Sequence, residues 1–497
     1  MQRSHIAAVS RPLAKARFAR RAEAMRLLLP PGVVTAFFWV TALDSVSVLQ
    51  GTVAYLLLFV PWWSYSVWKR EGQTQLPFFA IVAFMYWLFY AVPLFWGDRV
   101  SPSSGPTQLL SDDAITQAMI MALLGVGALW LGMRSRLGAR FVLHSRRDIP
   151  ADASRRGYLR FLLIACSLLS LFPDITSITG AGGRQLIAIL QSSIPLIVFI
   201  ILFRNFLRGT STRLDRYAML LYIAVQLILG LSSGWLGSWL TIALAGLATY
   251  LAERKRIPLI PVLVVLAYAL FFQAGKQDYR SVYWSGGVQQ SNPIQRVEAW
   301  AQLSLDKWRQ ILSSQGQGFG PQLVQDVVQR LNLLNQTANV VEATPSTVPY
   351  QYGRTYPAVA LNLIPRFIWP DKPSVNEANQ LYQVTYGLTS QQNLTQVSIA
   401  VGVLTEGYIN LGWPGAVIVM FLLGILFSFV EATFLSRDSG LFYSAIGIAI
   451  LLHFTAIEGQ MAQYLGGTIQ TVVLALLLLL PATHMIGQRG KTRMPGS

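Results

Sequence analysis

Residues 412–435 read GWPGAVIVMFLLGILFSFVEATFL, a continuous apolar run in which Glu431 is the single charged residue. An α-helix rises about 1.5 Å per residue, so about 20 apolar residues cross the hydrocarbon core of a bilayer, which is about 30 Å thick. We therefore predict that this run forms a transmembrane helix and that the fold is built from helices of this kind.

Eleven further apolar runs of similar length divide the rest of the chain. They are 27–46, 50–68, 77–96, 114–133, 158–174, 185–203, 217–232, 236–252, 257–274, 440–457 and 467–486. The weakest are the fifth run and the pair 217–232 and 236–252, which only three residues separate. The pattern predicts an all-α polytopic membrane protein with about twelve transmembrane helices.

The predicted spans separate three parts of the chain. Residues 1–274 hold an N-terminal tail and nine spans, residues 275–395 form one large loop, and residues 396–497 hold the last three spans and a C-terminal tail. The loop contains four Trp and stretches of helical period, such as 294–312 and 321–335. We expect it to be a small, mostly helical cap that lies on the membrane.

The composition agrees with a membrane protein. Hydrophobic residues make up 53% of the 497 residues and charged residues only 12%, whereas soluble domains carry about a quarter charged residues. The lone cysteine, Cys166, excludes an intrachain disulfide. One cysteine and four histidines also argue against a Cys/His zinc site.

The net charge of +17 follows the predicted topology. Most Lys and Arg lie in alternate connections: the N-terminal tail, 69–70, 134–160, 204–216, 254–256, 437 and 489–493. The short connections of the other side hold only Arg99 and Arg184. Basic short loops face the cytoplasm, so we predict a multi-pass protein with both ends in the cytoplasm and the large loop outside it. The basic residues are explained by this orientation in the membrane, so we predict no nucleic-acid binding.

Charges are almost absent from the centres of the predicted spans, and no internal repeat is visible. Ion-coupled carriers place charged residues and broken helices near the membrane midplane. The pattern therefore argues against a carrier of that kind.

Lys276 and Arg280 directly follow the ninth predicted span. If the helix continues, residues four apart share a face, and both cations emerge just above the bilayer. At that level they would bind the pyrophosphate of a lipid carrier. The alternative is that they are interface anchors whose apolar stems lie along the membrane.

A second basic segment runs from Tyr350 to Pro373. Its apolar body is too short and too broken by proline to span a membrane, which suits an interfacial or re-entrant helix with Arg354, Arg366 and Lys372 at its ends. Arginine matches phosphate oxygens with two parallel hydrogen bonds. An amphipathic surface helix with cationic flanks is the alternative.

Polar residues also interrupt the apolar stretch before the tenth span, at Glu406, Tyr408 and Asn410. Glu406 is a candidate proton acceptor from a sugar hydroxyl, or a carboxylate that pairs with an arginine for structure alone. Arg184 lies in the glycine-rich turn 180–184, in a short connection on the side that otherwise has few basic residues. It is either an anion-binding residue or a chance interfacial one.

These segments carry a resemblance to a known family. The run Gly353–Pro373, with its Gly-Arg-Thr-Tyr, Ile-Pro-Arg and Trp-Pro-Asp-Lys-Pro elements, resembles the Wzy-type oligosaccharide repeat-unit polymerases. The run Glu406–Gly415 is similar to a signature Glu-X-Tyr-X-Asn-hydrophobic-Gly-X-X-Gly that leads into a span. The layout of twelve spans with the main loop after the ninth extends the likeness, although O-antigen ligases share it.

The resemblance implies a GT-C-like membrane glycosyltransferase that makes O-antigen or exopolysaccharide. It would join undecaprenyl-pyrophosphate-linked repeat units at the periplasmic face of the bacterial inner membrane. The growing chain would be the donor and leave its pyrophosphate lipid, as a hydroxyl of the new unit attacks the anomeric carbon. Pyrophosphate is a good leaving group, so we expect a metal-independent reaction without a cofactor. The implied partners are the lipid-linked substrate, membrane lipid, a chain-length regulator and a flippase.

The resemblance also assigns roles. Related ligases bind pyrophosphate through arginines before span six and after span nine, places that Arg184 and Arg280 (or Lys276) occupy here. We predict catalytic roles for Glu406, Arg280 and Arg366. The predicted substrate-binding residues are Arg184, Lys276, Arg354, Lys372, Tyr356, Tyr408 and Asn410. One departure is Trp235, which stands where many relatives show an arginine between spans seven and eight, so no cation is predicted there.

Two other functions remain as alternatives. A ligase of the same class would move finished glycan to another lipid, and its deletion would leave long polymer on undecaprenyl pyrophosphate. A lipid-sugar flippase would place cations in a cavity within the spans, which the sequence does not show.

Overall fold

The computed structural model is helical throughout the part it describes. That part comprises residues 25, 27–42, 45–97, 99–100, 109–142, 153–172, 180–283, 292–313, 327–328, 331–364, 369, 377–391, 394 and 401–484. Within these residues there is no β-strand, only two isolated bridges. The predicted all-α class is confirmed.

The structure describes seventeen helices. In chain order they are α1 Leu27–Val40, α2 Val48–Glu71, α3 Phe78–Trp96, α4 Asp112–Arg134, α5 Ala153–Leu169, α6 Gly180–Leu207, α7 Arg213–Ser232, α8 Gly237–Arg254, α9 Leu259–Ala274, α10 Lys276–Tyr283, α11 Pro293–Ser313, α12 Leu333–Ala343, α13 Pro357–Leu363, α14 Glu377–Thr385, α15 Gly402–Phe434, α16 Leu441–Thr455 and α17 Met461–His484.

Each of the twelve predicted runs coincides with one of the helices α1–α9 or α15–α17. Among the described residues, six helices are long and apolar enough to cross a membrane: α3, α4, α6, α7, α15 and α17. The pair α9 and α10, bent by 50°, would make a seventh. The apolar helices indicate a membrane protein, and the count of twelve spans stays a prediction.

Polar caps explain where several of these helices begin. Ser47 and Gln50 form a capping box at the start of α2, and Thr212 and Asp215 form another at the start of α7. Ser111 accepts a hydrogen bond from the first turn of α4. Such side chains satisfy the backbone N–H groups that a helix leaves unpaired at its start.

The centre of the bundle is formed around α15, which packs along α4. Phe427 of α15 lies with its ring centroid 4.8 Å from those of Phe78 and Phe454. The carbonyl oxygen of Phe421 lies directly against Gly132 of α4. Close contacts through small residues are the usual means of packing helices in membranes.

Helix α12, which belongs to the predicted loop, lies inside this core. Its residues Leu334, Thr337 and Ala338 are buried. The Thr337 hydroxyl lies 2.9 Å from the Tyr90 hydroxyl and 2.7 Å from the Thr405 hydroxyl. The described part of the loop is helical as expected. The small and hydroxyl-bearing side chains of α12 let it pack between the long helices, and its position relative to the membrane stays a prediction.

A second, smaller core joins α7 to helices α9, α10 and α11. It consists of Leu231, Phe272, Tyr279 and Trp300. The indole N–H of Trp300 donates to the Phe272 carbonyl at 3.0 Å, and the Tyr279 hydroxyl donates to the Ser232 carbonyl at 2.6 Å. The predicted helix 294–312 is present as α11. Of the predicted helix 321–335, residues 321–326, 329 and 330 lie outside the described part.

Several basic connections meet at one end of the bundle. Gln75 accepts a hydrogen bond from Arg204 at 2.9 Å, and its carbonyl accepts one from Lys255 at 2.7 Å. The Gln75 amide N–H donates to the carbonyl of Leu435 at 2.8 Å, next to Arg437. The connections that the charge pattern placed on one side are thus in contact, and their cytoplasmic position stays a prediction.

Candidate functional site

The site is organised by a break in α15. Leu411 and Gly412 have non-helical backbone angles, and Gly412 has a φ of 65°, a conformation that favours glycine. A Cβ atom at Gly407 would lie 2.8 Å from the carbonyl oxygen of Gly415, so the turns on either side of the break approach closely. The glycines of the sequence motif therefore let the helix bend and pack against itself.

The segment 350–356 pairs with the end of the first half of α15. The break frees helical carbonyl groups, which need other donors. The amide N–H of Gln351 donates to the carbonyl of Ile409, and that of Tyr352 donates to the carbonyl of Asn410, both at 3.0 Å. The Asn410 side chain adds a bond by accepting from the amide of Gly353 at 2.9 Å.

Glu406 lies at the centre of this arrangement, with an exposed fraction of 1%. One carboxylate oxygen accepts a hydrogen bond from the Thr355 hydroxyl, and the other accepts one from the backbone N–H of Met461, both at 2.8 Å. Met461 is the first residue of α17, where the helix dipole favours a negative charge. The carboxylate is thus held by donors and by a helix start, without an arginine among the described residues.

Asn410 completes the buried network. Its side-chain amide donates to the Thr355 hydroxyl and to the carbonyl of Glu406, each at 2.8 Å. Asn410 therefore uses both ends of its amide: the oxygen accepts from the Gly353 N–H, and the NH2 group donates to the turn and to its own helix. Glu406, Asn410 and Thr355 are all buried, and we call these three residues the buried clamp.

The buried clamp presents a turn whose other side chains face outward. Tyr352 is 78% exposed and Arg354 is exposed. Tyr352 has a φ of 47°, an uncommon value for a residue with a side chain. Because Asn410 holds the turn through both its backbone and its side chain, the turn keeps this conformation and Arg354 keeps its position.

Tyr356 and Tyr408 lie on opposite sides of the clamp. The half-buried hydroxyl of Tyr356 lies near Asn410 and Glu406, with no hydrogen bond of normal geometry to a described residue. Burial, and then the charge of Glu406, raise the pKa of Tyr356, so it remains a neutral donor. Tyr408 is buried and donates to the Thr344 carbonyl at 3.2 Å, which gives it a structural contact.

Arg280 and Lys276 lie in the other core. The helix continues after α9 as predicted, but it bends by 50° at Gly275. Arg280 donates to the carbonyl of Gly234 at 3.3 Å, and its guanidinium lies 5.0 Å from the ring centroid of Trp235. The connection between α7 and α8 lacks a cation of its own, and Arg280 supplies one from α10.

The remaining predicted cations are placed only in part. Arg184 lies in the first turns of α6, so the predicted glycine-rich turn is helical, because span six begins earlier than expected. Its side chain lies outside the described part, as do Arg366 and Lys372. The structure therefore brings together Arg354, Tyr356, Glu406, Tyr408 and Asn410, and it places Lys276 and Arg280 in the second core.

Two members of the network were not predicted. Thr355 stands within the Gly-Arg-Thr-Tyr element, between two residues that were selected, and its hydroxyl links Glu406 to Asn410. The Met461 amide comes from a helix start, which carries no side-chain signal in the sequence. A search of the described residues for groups of three or more His, Cys, Asp or Glu that could hold a metal ion finds none.

This geometry can bind an anion more readily than it can move a proton. Arg354 offers an exposed guanidinium on a fixed turn, whereas both oxygens of the Glu406 carboxylate already accept hydrogen bonds. A fixed cation suits a phosphate group, because a positioned guanidinium binds its oxygens without further ordering.

Comparison with known proteins gives one match. Residues 107–481 match a family described as a domain of unknown function, DUF8712. No curated protein and no solved structure matches the chain. The matched region includes α4–α16 and the whole buried clamp. The chain belongs to the DUF8712 family.

Proposed function

We propose that this protein is a membrane glycosyltransferase that joins oligosaccharide repeat units carried on undecaprenyl pyrophosphate, at the periplasmic face of a bacterial inner membrane. The pyrophosphate lipid of the growing chain leaves as a hydroxyl of the incoming unit attacks its anomeric carbon. The observation that carries this proposal is the buried clamp, which holds Arg354 outward on a rigid turn beside the membrane helices.

Such a turn suits the departure of a pyrophosphate. Negative charge develops on the bridging oxygen as the glycosidic bond breaks, and a positioned cation stabilises that charge. Arg354 would bind the pyrophosphate directly, and Arg280, fixed on Trp235, would provide a second cation. Arg184, Lys276, Arg366 and Lys372 remain predicted contributors.

Glu406 has two possible roles in this proposal. As a general base it would have to accept a proton from the attacking hydroxyl, which requires that hydroxyl to reach a carboxylate that is only 1% exposed. As a positioning residue it acts through Thr355 and Asn410 to fix the turn. The burial of Glu406 and the structural hydrogen bond on each of its carboxylate oxygens favour the positioning role.

Glycan length in cells tests the proposal. In a strain lacking the chromosomal copy, Arg354→Ala should lower polymerisation about 100-fold, because a preorganised donor to the developing charge is lost. Arg280→Ala should have a similar effect. The expected product is single units in place of long glycan, read from gels of the surface polysaccharide at equal protein level in the membrane.

Arg309→Ala is the matched control. Arg309 is exposed on α11 in the same predicted loop, and it pairs only with the neighbouring Asp306 among described residues. It should leave glycan length unchanged. Wild-type length in Arg354→Ala and Arg280→Ala, with normal insertion, would contradict the assignment of these cations. Long polymer that accumulates on undecaprenyl pyrophosphate after deletion would show a ligase instead.

A further inference from the structure

A polar cavity of about 430 Å³ lies at the opposite end of the bundle from the buried clamp. Its charged lining residues are Glu71 at the end of α2, Arg134 at the end of α4, Arg136 just beyond it, and Glu431 near the end of α15. A volume of this size is typical of a small-molecule site. None of these four residues belongs to the site described above.

The four charged side chains are not held by ion pairs in the described part of the chain, although the Arg134 guanidinium lies over the Trp130 ring. Among the described residues, none of them forms a salt bridge. Glu431 is partly buried beside Thr74 and Arg136. An ionisable residue at the end of an apolar helix costs free energy, so it is retained where a partner compensates for it. The structure therefore offers two carboxylates and two guanidinium groups to a ligand.

The cavity is lined by two carboxylates and two guanidinium groups, so its positive and negative charges are equal in number. This equality indicates which class of ligand would fit. A ligand with only negative charge would gain from the arginines and lose to the carboxylates. A ligand with a phosphate at one end and an ammonium at the other satisfies both pairs. Ammonium N–H groups donate to carboxylates, and phosphate oxygens accept from guanidinium groups.

The position of the cavity points to a membrane source for this ligand. It opens among helix ends, next to the connections that carry Lys69, Arg70 and Arg437. Two tryptophans, Trp68 and Trp130, line it, and the Arg134 guanidinium lies 5.4 Å from the ring centroid of Trp130. Tryptophan rings at helix ends are typical of the level of the lipid head groups.

We propose that this cavity binds the head group of a phosphatidylethanolamine, with its phosphate on Arg134 and Arg136 and its primary ammonium on Glu431 and Glu71. The site is separate from the proposed glycosyl transfer and does not depend on it. It would tie the protein to one class of lipid at the end of the bundle where the basic connections meet.

Lipid binding to the purified, delipidated protein tests the proposal. Phosphatidylethanolamine, phosphatidylcholine and phosphatidylglycerol of equal acyl chains are added in detergent, and bound lipid is counted by native mass spectrometry. Phosphatidylethanolamine should bind about tenfold more tightly than the other two. Phosphatidylcholine lacks ammonium N–H groups, and phosphatidylglycerol lacks the cation.

Charge-matched variants locate the site. Glu431→Gln and Arg136→Gln should each weaken phosphatidylethanolamine binding about tenfold. Asp438→Asn and Arg437→Gln should not, because these exposed residues lie on the turn after α15 and do not line the cavity. If Glu431→Gln fails to fold, Glu71→Gln gives the same test at an exposed position.

Three outcomes would overturn the proposal. One is equal binding of phosphatidylethanolamine to the wild type, Glu431→Gln and Glu71→Gln. Another is preferential binding of phosphatidylglycerol, which would mark a site for anionic lipid. The third is displacement of the lipid by an equal concentration of soluble phosphoethanolamine, which would mark a site for a soluble compound. Loss of binding in the cavity variants alone supports it.

Discussion

Helix α15 carries two carboxylates in very different surroundings. Glu406, before the break, is 1% exposed, and each of its oxygens accepts one hydrogen bond at 2.8 Å. Glu431, near the other end, is partly buried at an open cavity that two arginines also line. The Glu406 carboxylate accepts hydrogen bonds within the protein. The Glu431 carboxylate lines a cavity that a ligand could enter.

The comparison shows that burial alone does not identify a chemically active carboxylate. What matters is whether its acceptor capacity is already used by the protein. By this criterion, the function that we propose for the Glu406 end rests on the exposed Arg354 that the clamp positions. The lipid binding that we propose for the other end rests on Glu431 itself.

The largest effect should come from Glu406→Ala. It leaves the Met461 amide and the Thr355 hydroxyl without an acceptor in a buried place. We expect the free energy of unfolding to fall by about 2–5 kcal/mol, measured by reversible unfolding in mixed micelles of detergent and dodecyl sulfate.

Glu298→Ala provides the control, since Glu298 is an exposed residue of α11. It should change the free energy of unfolding by no more than about 0.5 kcal/mol. Equal stability of Glu406→Ala and the wild type would mean that the buried clamp does not support the fold.

A smaller effect is expected for Thr355→Val, which keeps the shape but removes the hydroxyl that links Glu406 to Asn410. The free energy of unfolding should fall by about 1–3 kcal/mol. If the clamp positions Arg354, glycan length should also shorten at normal protein level.

Thr355→Ser separates positioning from packing, because it restores the hydroxyl without the methyl group. It should recover long glycan. If Thr355→Val made normal glycan, or if Thr355→Ser failed to recover it, the hydroxyl would not be the feature that fixes the turn.

The smallest effect on stability should come from Glu431→Gln. With no salt bridge to lose among the described residues, the free energy of unfolding of the delipidated protein should change by no more than about 0.5 kcal/mol. Asp438→Asn is the reference. If Glu431→Gln lowered the free energy of unfolding as much as Glu406→Ala does, the two carboxylates of α15 would not differ in their contribution to stability.

Much of the fold could be predicted from apolar run length. Each predicted run coincides with a helix, because helix formation in an apolar run satisfies the backbone hydrogen bonds internally. The packing of α12 against the long helices could not be predicted, because Thr337 bonds to Tyr90 and Thr405. These partners are distant in sequence, and no local pattern indicates that they meet.

The site could be predicted only in part. Glu406, Asn410 and Arg354 were selected because they lie in or beside polar interruptions of apolar stretches. The structure brings them into one arrangement, and their roles stay predictions. Thr355 was missed because a threonine in a loop has no distinctive pattern. The contact of Arg280 with Trp235 was missed because it joins two connections of the second core.

The amino-acid sequence by itself determined the helical membrane class, the positions of the apolar helices and the residues that interrupt them. These properties depend on local composition and on the length of a helix that crosses a bilayer. Only the tertiary structure decided which carboxylate is enclosed by hydrogen-bond donors and which faces a charged cavity. That difference depends on hydrogen-bond donors and cations from distant segments, such as Met461 for Glu406 and Arg136 for Glu431.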